Sequence, residues 1–385
     1  MSPGGPAPLP APPAYQAGTL VSVLPAVARS LGSIRYASAP ALGMAPTARA
    51  IVVLVDGLGY EQLVRRGGHA PFLRSVMEQT VALDSGWPST TATSMGSLGT
   101  GLPPGGHGLV GYEVLDPETD RVFNELSWER GPDPLRWQPA PTVFEEVAAE
   151  GVAVTSIGPA FFDGSGLTTA ALRGGRFAAA GSLAERVDAA VDAVRAAPRA
   201  LAYLYWGDLD KVGHVEGVDS WAWGEELTAI DRLLSVLVER VPKNTAVYVT
   251  ADHGMVDVPT SCRIDLAEEP DLVAGVRQVT REVRAPMLYC KAGAVSDVVA
   301  AWTDRLRGSA WVATREEVVD AGWFGSVRPE VLPRIGDVVV MMLNDGGVVD
   351  TERMRPELLR LRGFHGSVTT AERAIPLVSI GPPSR

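Results

Sequence analysis

Ile51-Val-Val-Leu-Val-Asp56 is an apolar run that ends abruptly in an acidic residue, and two later stretches repeat this pattern. They are Leu201-Ala-Tyr-Leu-Tyr-Trp-Gly-Asp-Leu-Asp210 and Ala246-Val-Tyr-Val-Thr-Ala-Asp252-His253. Such runs are typical of buried parallel strands. Because the carboxyl ends of parallel strands meet at one edge of an open α/β sheet, the polar residues that end these runs are predicted to lie together.

Strand-like and helix-like segments alternate around these runs. Ser182-Leu-Ala-Glu185 is a capping box that predicts the start of a helix before the second run. Leu227, Ile230 and Leu234 follow helical spacing before the third run. The order of strand, helix and strand predicts an α/β fold with a mainly parallel central sheet between helices.

The pattern changes between residues 263 and 345, where short strand-like segments accompany one helix-like segment. We predict that residues 263–345 form a small inserted α/β subdomain, and that residues 18–262 and 346–385 form the catalytic core. Residues 1–17 are rich in proline and are predicted to be a flexible extended tail.

The composition narrows the classes of function. The chain has 385 residues, of which 46% are hydrophobic, and its formal net charge is -11. An acidic chain is a poor ligand for nucleic acid polymers and anionic membranes. No stretch approaches the roughly 18 apolar residues of a membrane span, and no signal peptide is evident. Two cysteines are too few for a disulfide framework, so we expect a cytoplasmic protein.

Three of the five histidines lie in motifs of one kind, in which Asp or Gly neighbours the imidazole. These motifs are Asp210-Lys-Val-Gly-His214, Asp252-His253-Gly254 and Gly363-Phe-His365-Gly366. Asp and His four residues apart share one face of a helix. With Asp56, the motifs offer three imidazoles and three carboxylates, a set that suits two Zn²⁺ ions or, as alternatives, Mn²⁺ or Fe. Asp208 competes with Asp210, and each motif taken alone is an ordinary turn or loop.

A hydroxyl-rich segment, Pro88-Ser-Thr-Thr91, precedes a run of small residues that favours a helix. The positive end of a helix favours an alkoxide and a bound phosphate, so a hydroxyl there suits a covalent nucleophile. The alternative is an ordinary Ser or Thr N-cap.

Together these residues resemble the nucleotide pyrophosphatase/phosphodiesterase family of the alkaline phosphatase superfamily. The resemblance extends in order from Asp56 to His365 and includes the segments Pro88-Ser-Thr-Thr91, Thr100-Gly101-Leu102 and His107-Gly108. It implies an alkaline phosphatase-like central sheet sandwiched between helices. It also implies that Thr91 is the nucleophile, with Thr90 as the nearest rival.

The resemblance further implies two zinc sites and a covalent mechanism. One ion would be held by Asp210, His214 and His365, and the other by Asp56, Asp252 and His253. The second ion would also bind Thr91, which would form a threonyl-phosphate intermediate. Tyr112 stands where the family's phosphodiesterases typically present an asparagine that contacts a phosphoryl oxygen, so we expect its hydroxyl to take that role.

The predicted function is hydrolysis of phosphate diester or phosphoanhydride bonds in a small phosphorylated substrate, for which a nucleotide is one candidate. Phosphomonoester hydrolysis and phosphonoacetate-type phosphonate hydrolysis are alternatives, and an inactive binding protein is a third. Trp128 and Trp137 are predicted to line the mouth of the site and to stack on a flat group of the substrate. The natural substrate and the oligomeric state stay open.

Overall fold

The computed structural model describes residues 10–16 and 18–381. The strands are β1 (Arg49–Val55), β2 (Thr80–Asp84), β3 (Glu113–Asp116), β4 (Arg121–Asn124), β5 (Ala153–Gly158), β6 (Arg176–Ala179), β7 (Ala200–Trp206), β8 (Thr245–Thr250), β9 (Val256–Asp257), β10 (Arg263–Asp265), β11 (Val276–Val279), β12 (Met287–Cys290), β13 (Ala310–Thr314), β14 (Val338–Met342), β15 (Gly347–Val349), β16 (Gly363–Phe364) and β17 (Ala374–Ile380). The helices are α1 (Val23–Ser30), α2 (Tyr60–Arg65), α3 (Pro71–Ser75), α4 (Thr91–Thr100), α5 (Pro104–His107), α6 (Pro134–Trp137), α7 (Val143–Ala149), α8 (Gly166–Ala171), α9 (Leu183–Arg195), α10 (Asp208–Glu216), α11 (Trp221–Arg240), α12 (Pro270–Val273), α13 (Val295–Arg305), α14 (Arg315–Asp320), α15 (Pro356–Leu359) and α16 (Thr370–Arg373).

The central sheet of the described residues has seven strands in the order β2-β17-β8-β1-β7-β5-β6. Strand β1 pairs in parallel with β7 on one side and with β8 on the other, so that Ile51 lies between Ala202 and Val247. Strand β17 runs antiparallel to both of its neighbours. The three apolar runs of the sequence are therefore adjacent strands, which confirms the predicted α/β fold with a mainly parallel sheet.

Helices cover both faces of this sheet. Val53 of β1 faces Val187 of α9 and Leu237 of α11 across one side. Tyr203 of β7 points to the opposite side, because side chains alternate along a strand, and there it contacts Phe144 of α7. The strand residues Ile51, Val52, Leu54 and Val55 are fully buried, which explains why β1 is apolar along its length.

The local signals of the sequence match the element boundaries. Ser182 and Glu185 form the predicted capping box, in which the Ser182 hydroxyl accepts from the Glu185 N–H at the start of α9. Helix α9 ends at Arg195, shortly before Pro198. Helix α7, which precedes β5, begins in the same way with a capping box formed by Thr142 and Glu145.

Residues 263–345 contain a four-stranded antiparallel sheet, ordered β11-β12-β14-β13, with α13 packed against it. Leu288, Trp302 and Val340 belong to a buried cluster that is separate from the core of the main sheet. Strand β10 pairs outside this sheet with β15. The division of the chain at residues 262 and 346 stays a prediction.

The predicted tail, residues 1–17, lies partly outside the described residues, since residues 1–9 and 17 are not among them. In the described part, the Tyr15 hydroxyl donates to the Trp323 carbonyl at 2.8 Å and accepts from the Trp87 N–H at 3.1 Å. Tyr15 therefore contacts the loop before α4. No helix in the described part of the chain is long and apolar enough to cross a membrane.

Candidate metal centre and nucleophile

The carboxyl ends of β7, β1 and β8 lie side by side and deliver acidic residues to one edge of the sheet. Asp56 directly follows β1, and Asp252 follows β8 after a single alanine. Strand β7 leads into α10, which carries Asp210 and His214 one helical turn apart. This is the edge at which open α/β sheets place their sites.

Two groups of three side chains form there, and in each group the ligand atoms lie within 4.8 Å of one another. We call Asp56, Asp252 and His253 the inner group, and Asp210, His214 and His365 the outer group. In the inner group, His253 Nε2 is 3.3 Å from Asp56 Oδ1 and 3.4 Å from Asp252 Oδ2. In the outer group, His214 Nε2 is 3.3 Å from Asp210 Oδ2. Of the two rival carboxylates in α10, Asp210 is the one that joins a group.

Backbone carbonyls hold all three imidazoles in the same tautomer. The Nδ1 atom of His214 lies 2.7 Å from the Gly363 carbonyl oxygen, that of His253 lies 3.0 Å from Gly254 O, and that of His365 lies 3.0 Å from Ser89 O. Because a carbonyl only accepts, each Nδ1 must carry the proton. Each Nε2 is left with a lone pair, which is the state that binds a metal ion.

Within the described structure, each of the three carboxylates has one bare oxygen, which means an oxygen without a hydrogen-bond partner. Asp252 Oδ1 accepts from the backbone N–H groups of Gly57 and His253, at 3.2 Å and 3.1 Å. Among the described residues, Asp252 Oδ2, Asp56 Oδ1 and Asp210 Oδ1 are buried without a hydrogen-bond partner. An unpaired buried carboxylate oxygen is costly, and a bound cation would offset that cost. The donor set therefore fits divalent metal ions.

Burial and the neighbouring charged groups shift the pKa values of three residues in these two groups. Burial, followed by the negative charges of Asp252 and Asp210, raises the pKa of Asp56 well above its usual range. Burial also raises the pKa of Asp252. Burial and the neighbouring imidazoles of His253 and His214 hold the pKa of His365 well below its usual range. A bound cation would lower the pKa of both carboxyl groups, and it would further favour the neutral form of His365.

Thr91 is the first residue of α4 and lies beside the inner group. Its Oγ1 atom is 3.2 Å from His253 Nε2. Thr90, the rival hydroxyl, is the N-cap residue and points instead to the carboxylate of Glu282. The positive end of α4 therefore faces the same space as the bare ligand atoms, a placement that favours an alkoxide and a phosphate group.

Tyr112 lines a cavity of about 370 Å³ together with Thr91, His214 and His365. The Asn124 carboxamide oxygen accepts from the N–H groups of Leu126 and Ser127, so its NH₂ group is the part that can donate to the Tyr112 hydroxyl. The phenolic proton is thereby left to donate into the cavity. Burial, and then the charge of Glu113, raises the pKa of Tyr112, which keeps it protonated.

A second cavity of about 500 Å³ meets the first at Thr91, Leu126 and Asp210. Its wall is mainly apolar and includes the aromatic residues Phe161, Phe162, Phe177, Tyr203 and Tyr205.

The prediction that Trp128 and Trp137 line the mouth of the site is wrong. Both indoles are buried against Phe123. Their N–H groups donate to the Pro132 carbonyl and to Glu125.

Two residues of the site were missed in the sequence. The Tyr205 hydroxyl donates to Asp56 Oδ2, and Glu282, which lies within residues 263–345, lines the first cavity. Tyr205 lies in a predicted strand, so alternation along that strand could have indicated which side it faces. No pattern in the sequence singles out Glu282.

Comparison with known proteins identifies a family for this chain. A sequence model described as type I phosphodiesterase/nucleotide pyrophosphatase matches residues 50–368. An uncharacterized pyrophosphatase/phosphodiesterase of Schizosaccharomyces pombe is 27% identical over an alignment of 234 residues that covers 55% of this chain. The match spans 45% of that relative, so about half of its length has no counterpart in the alignment.

Solved structures of low sequence identity share the fold. Murine ectonucleotide pyrophosphatase/phosphodiesterase 5 has a TM-score of 0.71 at 20% identity, with 88% of this chain and 89% of that chain covered. An inactive variant of the same murine protein was solved in complex with AMP. Phosphonoacetate hydrolase from Sinorhizobium meliloti, in complex with phosphonoacetate, has a TM-score of 0.66 at 20% identity and covers 86% of this chain and 90% of its own.

Proposed function

The chain belongs to the type I phosphodiesterase/nucleotide pyrophosphatase family, and from this we propose that it is a metal-dependent hydrolase of phosphate diester or phosphoanhydride bonds. The observation that carries the proposal is the position of Thr91, whose Oγ1 lies 3.2 Å from the ligand atom of His253. A hydroxyl at a helix N-terminus beside two metal-binding groups is suited to attack on phosphorus.

We assign one Zn²⁺ to the outer group and one to the inner group, with Mn²⁺ or Fe as alternatives for the same donors. When bound, the ions would supply positive charge that lowers the pKa of the Thr91 hydroxyl and offsets the charge of the phosphoryl group. The bare oxygens of Asp56, Asp210 and Asp252 support this assignment.

The residues of the chain then carry out two displacements. The deprotonated Thr91 Oγ1 forms a bond to phosphorus while the bond from phosphorus to the leaving oxygen breaks, and the leaving group departs with the electron pair. Water next attacks the threonyl-phosphate and releases Thr91. The Tyr112 hydroxyl and the N–H at the start of α4 would donate to the phosphoryl oxygens as charge develops there.

Thr91 lines both cavities, and this favours a substrate with two substituents on phosphorus, which is a diester or an anhydride. The apolar second cavity suits a flat substituent such as that of a nucleotide. Phosphonate hydrolysis is the second candidate, because the phosphonoacetate hydrolase shares this fold. Phosphomonoester hydrolysis would use the same nucleophile, and the substrate panel described next tests it as well.

The test is a metal analysis combined with a substrate panel. The zinc-reconstituted protein is assayed on bis-nitrophenyl phosphate, nitrophenyl phosphate, ATP and phosphonoacetate, with Thr91→Ala as the matched variant. We expect diester or anhydride turnover by wild type, and its loss with retained metal in the variant. Fastest turnover of phosphonoacetate or of the monoester would select an alternative. Inactivity on every substrate would contradict the proposal, and tight retention of a ligand would then indicate a binding protein.

We also propose a cytoplasmic location. This rests on Cys262 and Cys290, which are both free thiols in the structure.

A further inference from the structure

We propose that Tyr205 is a positioning residue, whose hydroxyl turns the Asp56 carboxylate so that Oδ1 faces the metal. The inference rests on the proposed function, since it concerns one of the two metal-binding groups. The Tyr205 hydroxyl donates to Asp56 Oδ2, while Asp56 Oδ1 points to His253 Nε2 at 3.3 Å. One oxygen is thus held by the protein and the other is left for the cation.

The comparison with Asp252 shows why this hydrogen bond matters. Asp252 has one oxygen fixed by two backbone N–H groups and the other bare. Asp56 likewise has one hydrogen-bonded oxygen and one bare oxygen. Its hydrogen-bond donor is the side chain of Tyr205, whereas the donors to Asp252 are backbone N–H groups. A hydroxyl that donates to a carboxylate is a strong, charge-assisted bond, and it opposes rotation of the carboxylate.

The fold holds the Tyr205 ring in place. Tyr205 pairs in register with Leu54, two residues before Asp56, so the two side chains emerge next to each other at the sheet edge. The ring also packs edge to face on Phe162, with the centroids 5.4 Å apart. A Cβ atom at Gly207 would lie 2.7 Å from the hydroxyl, so glycine there leaves room for it.

Tyr203 provides a matched control within the same strand. It lies two residues earlier and on the same side of the sheet, and it lines the same cavity as Tyr205. Its hydroxyl meets the sulfur of Met95 at 3.4 Å and not a carboxylate. Tyr203→Phe therefore removes a similar hydroxyl without touching a metal-binding group.

The experiment is a stepwise Zn²⁺ titration of the metal-free protein against a chromophoric chelator. We expect Tyr205→Phe to weaken one of the two binding steps by about 10- to 100-fold and to leave the other unchanged. Tyr203→Phe should match wild type in both steps. With Co²⁺ in place of Zn²⁺, the visible absorption of one of the two sites should change in Tyr205→Phe alone.

Two measurements distinguish a folding defect from a loss of metal affinity. They are thermal melting of the metal-free variants and rescue of activity with excess Zn²⁺. Well below the melting temperatures, turnover by Tyr205→Phe should return toward wild type at high Zn²⁺, because only metal affinity was reduced. Wild-type binding of both ions by Tyr205→Phe, or a defect that Zn²⁺ does not relieve, would overturn the inference. Failure of wild type to bind two ions would instead overturn the proposed function.

Discussion

The imidazole ring of His365 is stacked on that of His253, with the ring centroids 3.6 Å apart and the planes inclined by 14°. The two rings belong to different groups, so the stack is the physical boundary between the inner and outer groups. Two positive charges would repel at this distance, and the proximity of His253 contributes, after burial, to the lowered pKa of His365. The stack also brings the inner and outer groups of candidate ligands into direct contact.

The pair of groups predicts the metal stoichiometry. His253→Ala removes a ligand of the inner group and His214→Ala one of the outer group, so each variant should bind about one Zn²⁺ per chain where wild type binds about two. His69→Ala, a histidine outside both groups, should keep both ions. Elemental analysis after gel filtration measures this, and full retention of metal by both ligand variants would contradict the assignment.

Removing the proposed nucleophile should abolish turnover without removing metal. We expect Thr91→Ala to lower kcat by at least about 10³-fold, because no other hydroxyl lies as close to His253 in the described structure. Thr91→Ser should retain part of the activity. Steady-state kinetics of these variants and of Thr90→Ala measure the effect; loss in Thr90→Ala but not in Thr91→Ala would move the role to Thr90.

Tyr112→Phe tests the donor to the phosphoryl group. The Asn124 amide occupies the phenol oxygen, so the phenolic proton is free to donate, and its loss should lower kcat by about 10²-fold at unchanged zinc content. Tyr60→Phe, outside both cavities, is the control. A kcat equal to that of wild type would exclude Tyr112 from the reaction.

Asp56→Asn should stabilise the metal-free protein at neutral pH although it weakens zinc binding. Because the pKa of Asp56 is raised, the folded protein binds its proton more tightly than the unfolded chain does. Wild-type stability therefore falls as pH rises from about 3.9, the ordinary value, through the raised pKa.

Asparagine does not ionise, so the Asp56→Asn variant does not lose stability in this way. Its free energy of unfolding should exceed that of wild type, once the pH is above the raised pKa, by about 1.4 kcal/mol for each unit by which the pKa is raised. His365, whose lowered pKa acts in the opposite direction below about 6.5, is present in both proteins. Urea unfolding at pH 5 and pH 8 measures the difference. If the variant is no more stable than wild type at pH 8, the ionised Asp56 carboxylate does not destabilise the metal-free protein.

The sheet and the residues at its edge could be predicted from the sequence because their signals are local. An apolar run followed by Asp56 or Asp252 identifies both the strand and the residue at its end. His365 needed the motif around it, since β16, which precedes it, is only two residues long.

The surroundings of the site could not be predicted in the same way. The contact of Tyr205 with Asp56 depends on the register between β7 and β1. The hydrogen bond between Glu282 and Thr90 joins residues almost two hundred positions apart, so it depends on the tertiary fold. Trp128 and Trp137 stand among charges and prolines in the sequence, yet both indoles pack against Phe123. Their N–H groups have buried acceptors, which are the Pro132 carbonyl for Trp128 and the Glu125 carboxylate for Trp137. These outcomes depend on tertiary contacts that no local pattern encodes.

The candidate metal-binding residues are spread along the chain from Asp56 to His365, and this spacing affects the order in which the two groups form during synthesis. All three residues of the inner group have been translated once residue 253 is made, whereas the outer group waits for His365, and β17 must then enter between β2 and β8 to complete the sheet. A nascent polypeptide on the ribosome can thus offer one set of ligands long before the other. If the proposed function is right, hydrolytic competence is acquired only after His365 has been made, so that an interrupted product that stops short of His365 should be inert.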